Sequence, residues 1–310
     1  MTDEQGSIAG AETPAPAAKR LVPPLLAGAT LIVAAVFLLA GMDGLGKHLT
    51  GEFHVVQVVW ARFFFHIALV AGFLWLSRSR TTSFVSTRRP AFQALRGLLL
   101  LMGTAAMYVG LTRVPLGDAT AILFFNPVVV IILSILILKE RIRAFHVVAV
   151  VAGFSGVMII IRPGFAQFDT FLLLPLFSSF VLAGFYLMTR ALSEAGEARA
   201  ALLVAPAVGA VVVSCAVPFF WQWPSLEGWL ALAAVGGLGA LGHGLLQLGF
   251  RFATASALSP FLYCQVIAAA LIGVFAFDEL PDWGTLTGML LIVASGMVIL
   301  LHSARRPRPV

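Results

Sequence analysis

"LTRVPLGDATAILFFNPVVVIILSILILKE" (residues 111–140) is the stretch on which the reading of the fold turns. From Gly117 to Leu138 it is 22 residues long and carries one acid, Asp118, near its start. As a helix rising about 1.5 Å per residue it reaches ~33 Å, enough to cross a hydrocarbon layer of roughly 30 Å. Asn126 and Pro127 interrupt it near its middle. Proline has no N–H, so the Leu123 carbonyl loses its helical partner and a kink is expected beside Asn126.

The rest of the chain repeats the same kind of segment. Of 310 residues 60% are hydrophobic and only 11% charged, against roughly 25% charged in a soluble domain; this is the composition of a membrane protein. Apolar runs fall at 23–48, 54–77, 90–111, 117–138, 144–161, 170–190, 198–220, 228–250, 257–277 and 283–302, ten spans joined by short polar connectors. Residues 1–22 are Ala/Pro-rich with their basic residues late, which reads as a disordered tail rather than a signal peptide. Residues 304–310 form a short basic tail. Cys215 and Cys264 lie inside spans as packing residues, and neither a disulfide, a metal site nor a cofactor is indicated.

Fifteen of the twenty Lys and Arg residues fall on the side of the N-terminal tail and three on the other, with Arg62 and Arg96 inside spans. The positive-inside rule therefore puts both termini in the cytoplasm of a multi-pass protein of a bacterial inner membrane. The positive charge, divided among loops, explains the basic balance without a nucleic-acid partner.

An internal echo links residues 108–142 to 247–281: Gly110 matches Gly249, Leu123 matches Leu262, Glu140 matches Glu279, and at the same offset Asn126 falls on Gln265. With one inserted residue, "FSGVM" (154–158) continues it against "ASGMV" (294–298). Five spans per half make the halves cross in opposite senses, which is the inverted-repeat plan of secondary transporters. The expected fold is all-α and integral to the membrane, ten transmembrane helices as two inverted five-helix repeats (23–162 and 163–303).

"GLGKHL" ending the first span, "ARFFF" in the second, the quoted fourth span and a Gly-rich fifth together resemble the drug/metabolite transporter superfamily, in its ten-helix branch with two EamA-type repeats, over about residues 24–303. The second half departs from the pattern in lacking a proline at the position matching Pro127. The resemblance implies a central cavity lined mainly by spans 1, 3, 4, 6, 8 and 9, alternating access and a small-molecule substrate. "MDGLGKHLTGEFHVVQVVWARFFFH" looks like family members that import riboflavin or S-adenosylmethionine, and the family also contains amino-acid exporters.

Read residue by residue, the middle of the membrane holds uncharged polar groups: Thr104, Asn126, Ser178, Ser179, His243 and Gln265. Hydroxyls there serve most simply as bonds between helices. Asn126 and Gln265 are the sharper candidates for substrate contact, being related by the repeat. Tyr108, Tyr186 and Tyr263, the only tyrosines, are expected to aim hydroxyls at partners. Thr104 and His243 complete the candidate binding set. Rings with a few neutral hydrogen-bonding groups suit a flat, neutral or zwitterionic metabolite. Riboflavin uptake is the leading expectation, and export of aromatic-type amino acids or toxic metabolites the alternative. Spans 6 and 9 carry no basic residue between their ends, which disfavours a phosphate ester.

Arg62 lies about 12 Å down the second span at 1.5 Å per residue, with His66 one turn on. Asp43 and Lys47 form another i,i+4 pair on the first span, so Asp43, Lys47, Arg62 and His66 are expected to form a polar cluster or outer gate. Glu140 and Glu279 end helices where the dipole opposes an anion, and are expected to pair with a loop Arg or cap neighbouring helices. Glycines in "GGLGALGHG" (236–244) serve either close packing or bending. No catalytic triad, phosphate loop or filter-like loop supports an enzyme or a channel. Membrane lipid surrounds the chain, and a monomer or a homodimer is compatible with one complete cavity.

Overall fold

A computed structural model of the chain describes residues 24–76, 87–138, 144–163, 169–194, 198–252 and 258–304. The two tails, the basic loops at 77–86 and 139–143 and with them Glu140 lie outside the described residues.

Among the described residues all regular structure is helical: α1 (Pro24–Leu49), α2 (Val55–Leu76), α3 (Pro90–Leu111), α4 (Leu116–Leu123), α5 (Asn126–Leu138), α6 (Ala144–Ile161), α7 (Leu173–Glu194), α8 (Ala198–Ala216), α9 (Leu226–Gly249), α10 (Cys264–Phe277) and α11 (Trp283–Ala304), with 3-10 turns at Thr170–Leu172, Val217–Phe220 and Ser259–Tyr263. A helix is what an apolar segment must form in lipid, since it bonds every interior backbone group within the segment. Seven helical stretches are long and apolar enough to cross a membrane, and three shorter apolar ones lie at Leu116–Val130, His146–Ile161 and Trp283–Val298. Large apolar side chains stand open on the outside, among them Phe73, Trp75, Phe219, Trp223, Phe275, Trp283 and Leu290. A soluble monomer does not expose apolar patches on this scale, whereas lipid accepts them.

The expected kink is a break. Helix α4 ends at Leu123, Phe124 and Phe125 form a turn, and α5 restarts at Asn126 with Pro127 in its first turn. At the matching place in the second half the 3-10 turn of Ser259–Tyr263 gives way to α10 at Cys264. Pro260 near the start of that turn takes part of the role that Pro127 plays in the first half. The rings of Phe124 and Tyr263, which the echo sets opposite each other, meet with centroids 5.4 Å apart.

Packing follows a paired pattern. Helix α1 lies against α9 and α3 against α7, α2 against α9 and α3 against α8, while α2 meets α8, α4 meets α10 and α6 meets α11. Glycine sets the closest of these approaches. A Cβ on Gly236 of α9 would stand 2.8 Å from the His66 nitrogen and 3.0 Å from the Ala61 carbonyl oxygen of α2, and one on Gly242 2.8 Å from Leu39 of α1. Between α6 and α11, a Cβ on Gly156 would lie 2.7 Å from the Gly288 carbonyl oxygen. These contacts give the glycines at 236 and 242 the packing role, while Gly244 faces open space.

Candidate substrate site

The end of α10 explains one side of the site. Asp278 takes a left-handed conformation (φ 53°), and the N–H groups of Asp278 and Glu279 both turn back to the Gly273 carbonyl. Gly273 leaves room for the returning chain, since a Cβ there would meet the Glu279 carboxylate at 3.3 Å. Glu279 is thereby delivered to the neighbouring helices. One carboxylate oxygen pairs with Lys47 of α1, and the other accepts the N–H of Leu116, the first residue of α4, at 2.8 Å. The Lys47 ammonium also donates to the Val114 carbonyl at 2.6 Å. Glu279 thus caps an adjacent helix N-terminus, where an anion is favoured. Lys47, grouped by its spacing with Asp43 and Arg62, is turned away from them into this junction.

Further contacts close the same face. Arg162 pairs with Asp282, whose other duty is to accept the Thr285 N–H at the start of α11 (2.7 Å). Arg162 and that helix-start N–H hold the Asp282 carboxyl at about 2, well below its ordinary range. Gln57 clamps both backbone groups of Gln222, at 2.8 and 2.9 Å, and Trp60 donates to Ser214 at 3.0 Å. Between the α3–α4 connector and the end of α10 an open recess of about 340 Å³ is lined by Asp118, Asp278, Glu279 and Asp282 among others.

Beneath this layer Arg62 is the electrostatic hub. Asp43, His66, His243, Tyr108 and Tyr186, carried by α1, α2, α9, α3 and α7, all interact with its charge. Its guanidinium lies 5.4 Å from the Tyr108 ring centroid and 6.0 Å from that of Phe63. Asp43 is 5% exposed. Among the described residues neither Asp43 nor Arg62 forms an ion pair within 4 Å, with each other or with any other group. The His66 and His243 rings are 5.9 Å apart across α2 and α9.

Tyr186 is 47% accessible and His243 is exposed, and both lie within reach of the Arg62 charge.

The other tyrosines differ from expectation. Tyr108 is fully buried against Gly46, and Tyr263 presses on Gly296; neither hydroxyl completes a hydrogen bond. Close packing of the ring on glycine backbone has won over satisfaction of the hydroxyl.

Asn126 and Gln265 sit in the first turns of α5 and α10, just past the paired breaks, and both are partly accessible. Their side-chain amides have no hydrogen-bond partner among the described residues. Thr104 is buried in α3, and its neighbour Gly103 accepts from Ser178 at 2.7 Å, a bond between α3 and α7 of the kind expected of a span serine. Arg96 is held away from the centre by Thr189 (2.7 Å), Gln93 (3.3 Å) and the Phe185 ring.

Apolar helices of spanning length, with large apolar side chains open on the outside, define a multi-pass membrane protein. Residues 26–162 match the EamA-like transporter family. The S-adenosylmethionine uptake transporter of Rickettsia felis is 30% identical over 263 residues, covering 83% of this chain and 87% of that protein. The riboflavin transporter of Vibrio cholerae serotype O1 is 26% identical over 290 residues, covering 91% and 96%. A solved crystal structure at 18% identity shares the fold, with a TM-score of 0.59 over 92% of this chain and 98% of that one. The chain belongs to the EamA-like transporter family, within the drug/metabolite transporter superfamily.

Proposed function

We propose that this chain is a secondary transporter, not an enzyme, that imports S-adenosylmethionine across a bacterial inner membrane by alternating access. The observation that carries the reading is that Asp43 and Arg62, on neighbouring helices, form no ion pair among the described residues, with Tyr186 and His243 within reach of the Arg62 charge. Opposite charges held apart next to a ring suit a molecule that carries a zwitterionic amino-acid headgroup and an aromatic base. The Rickettsia relatives named for uptake of that compound support the choice.

The architecture proposed is ten spans in two inverted repeats, residues 23–162 and 163–303, with both termini cytoplasmic. The paired packing pattern, the two matched breaks and the Phe124–Tyr263 contact support a twofold axis through the breaks. In this orientation Lys47–Glu279, Arg162–Asp282 and Gln57–Gln222 all bridge spans on the outer face, so the conformation described is closed to the outside.

Riboflavin is the second reading. It is favoured by the Vibrio relative and by the free amides of Asn126 and Gln265 beside the Phe124 and Tyr263 rings. Uptake of labelled S-adenosylmethionine into proteoliposomes holding the purified protein, competed with unlabelled riboflavin and L-phenylalanine, tests the choice. Saturable uptake blocked by excess S-adenosylmethionine and not by riboflavin is the expected result. No uptake, together with carriage of labelled riboflavin, transfers the assignment.

A further inference from the structure

We propose that Arg62 and Asp43 form a receptor for an α-amino-acid headgroup, Arg62 taking the carboxylate and Asp43 the ammonium. The proposal rests on the transport reading above and adds which part of the substrate is recognised and by which atoms. A buried charge without compensation costs several kcal/mol, so proteins rarely keep one. This chain keeps a buried acid, Asp43, and a partly buried guanidinium, Arg62, on neighbouring helices, and among the described residues the two form no ion pair within 4 Å.

Two other cations in the spans are already engaged. Lys47 is held by Glu279 and the Val114 carbonyl, and Arg96 by Thr189 and Gln93. Arg62, by contrast, forms no ion pair among the described residues, and its guanidinium lies beside the Tyr108 and Phe63 rings. Its planar fork matches a carboxylate in two parallel bonds, which a lysine does not provide. The Asp43 carboxylate accepts no hydrogen bond among the described residues, and three N–H donors of a primary ammonium meet that need. A zwitterion bridging the two sites replaces the missing ion pair in one step. The side chain of the bound amino acid then extends toward Tyr186 and the His66–His243 pair, which lie within the field of Arg62.

The test uses pairs of probes that differ only in the headgroup: S-adenosylmethionine against its decarboxylated form, and L-phenylalanine against phenethylamine. Each is measured as a competitor of labelled uptake in proteoliposomes and as a stabiliser of the purified protein in thermal unfolding. In the wild type each amino acid is expected to bind at least about tenfold more tightly than its decarboxylated counterpart, because a site built for a charged partner rejects an analogue lacking it. Arg62→Gln is expected to erase that preference while unfolding at the wild-type temperature without ligand, and Arg62→Lys to restore part of it. Asp43→Asn is expected to weaken the amino acids while leaving riboflavin unaffected. His48→Gln, on the exposed outer face, serves as the control.

Equal affinity within both wild-type pairs, or an unchanged preference in folded Arg62→Gln, overturns the proposal. Should Arg62→Gln not fold, the wild-type pairs alone decide it. A protein that does not carry S-adenosylmethionine yet prefers phenylalanine to phenethylamine refutes the substrate assignment and leaves the headgroup receptor standing.

Discussion

The Tyr263 hydroxyl is buried against the Gly296 backbone without a hydrogen-bond partner, and leaving such a group unsatisfied costs about 1–3 kcal/mol. Tyr263→Phe is therefore expected to raise the thermal unfolding midpoint in detergent by about a few degrees and leave transport unchanged. A lower midpoint, or lost transport with the fold intact, would give that hydroxyl a working partner. Tyr108 differs, since the Arg62 guanidinium lies beside its ring and removing the hydroxyl also alters that neighbourhood. Candidate residues were legible in the sequence as types at depths: Asn126, His243, Gln265 and Arg62 stand out as polar groups in apolar runs. What the sequence concealed is the direction of each side chain. Arg62 and Lys47 read alike as buried cations, and only the turn at Asp278, which returns Glu279 to Lys47, separates a cation with a partner from one without.

Helix α10 ends in a three-way junction of Lys47, Glu279 and the Leu116 N–H, and its parts are separable by substitution. Glu279→Gln keeps an acceptor for Leu116 and loses only the charge, whereas Glu279→Ala loses both. The alanine variant is expected to be the less stable of the two, by roughly 1 kcal/mol, in thermal unfolding. Reversing the pair as Lys47→Glu with Glu279→Lys is expected not to rescue transport, because glutamate cannot donate to Val114 and lysine cannot accept from Leu116. Full rescue would reduce the junction to a simple charge pair.

The neighbouring Asp282 gives a pH signature. Its carboxyl titrates at about 2, below the ordinary 3.8. Its stabilising contribution is thus complete above about pH 4 and lost as pH falls through the folded value. The difference in thermal midpoint between wild type and Asp282→Asn is expected to be constant from pH 5 to 8 and to vanish toward pH 2. It is expected to be small, since the Asp282 side chain is 56% exposed. Spans were legible because length and apolarity alone determine them, as the agreement at 90–111 and 144–161 illustrates. The Lys47–Glu279 junction was not, because its partners are 232 residues apart in the chain while Asp43 offers Lys47 a nearer acid at helical spacing.

Across the molecule, Lys47–Glu279, Arg162–Asp282 and Gln57–Gln222 join helix ends on one face, which the proposed orientation makes the outer one. With Cys215 and Cys264 replaced, a cysteine at position 186 is expected to react with a membrane-impermeant thiol reagent supplied from the cytoplasmic side, and to be protected by substrate. Labelling from the outside alone would invert the orientation. The seam between α6 and α11 bears on how such a molecule moves. There the backbones approach closely at Gly156 and Gly288, with Ile160, Leu291 and Ile292 packed beside them. On the proposed two-repeat architecture that edge is expected to serve as a fulcrum, so that a tilt of the two halves lifts one rim by lowering the other. A see-saw of this kind is expected to keep both mouths from gaping together, so that the membrane holds its ion gradients throughout each cycle without a separate plug.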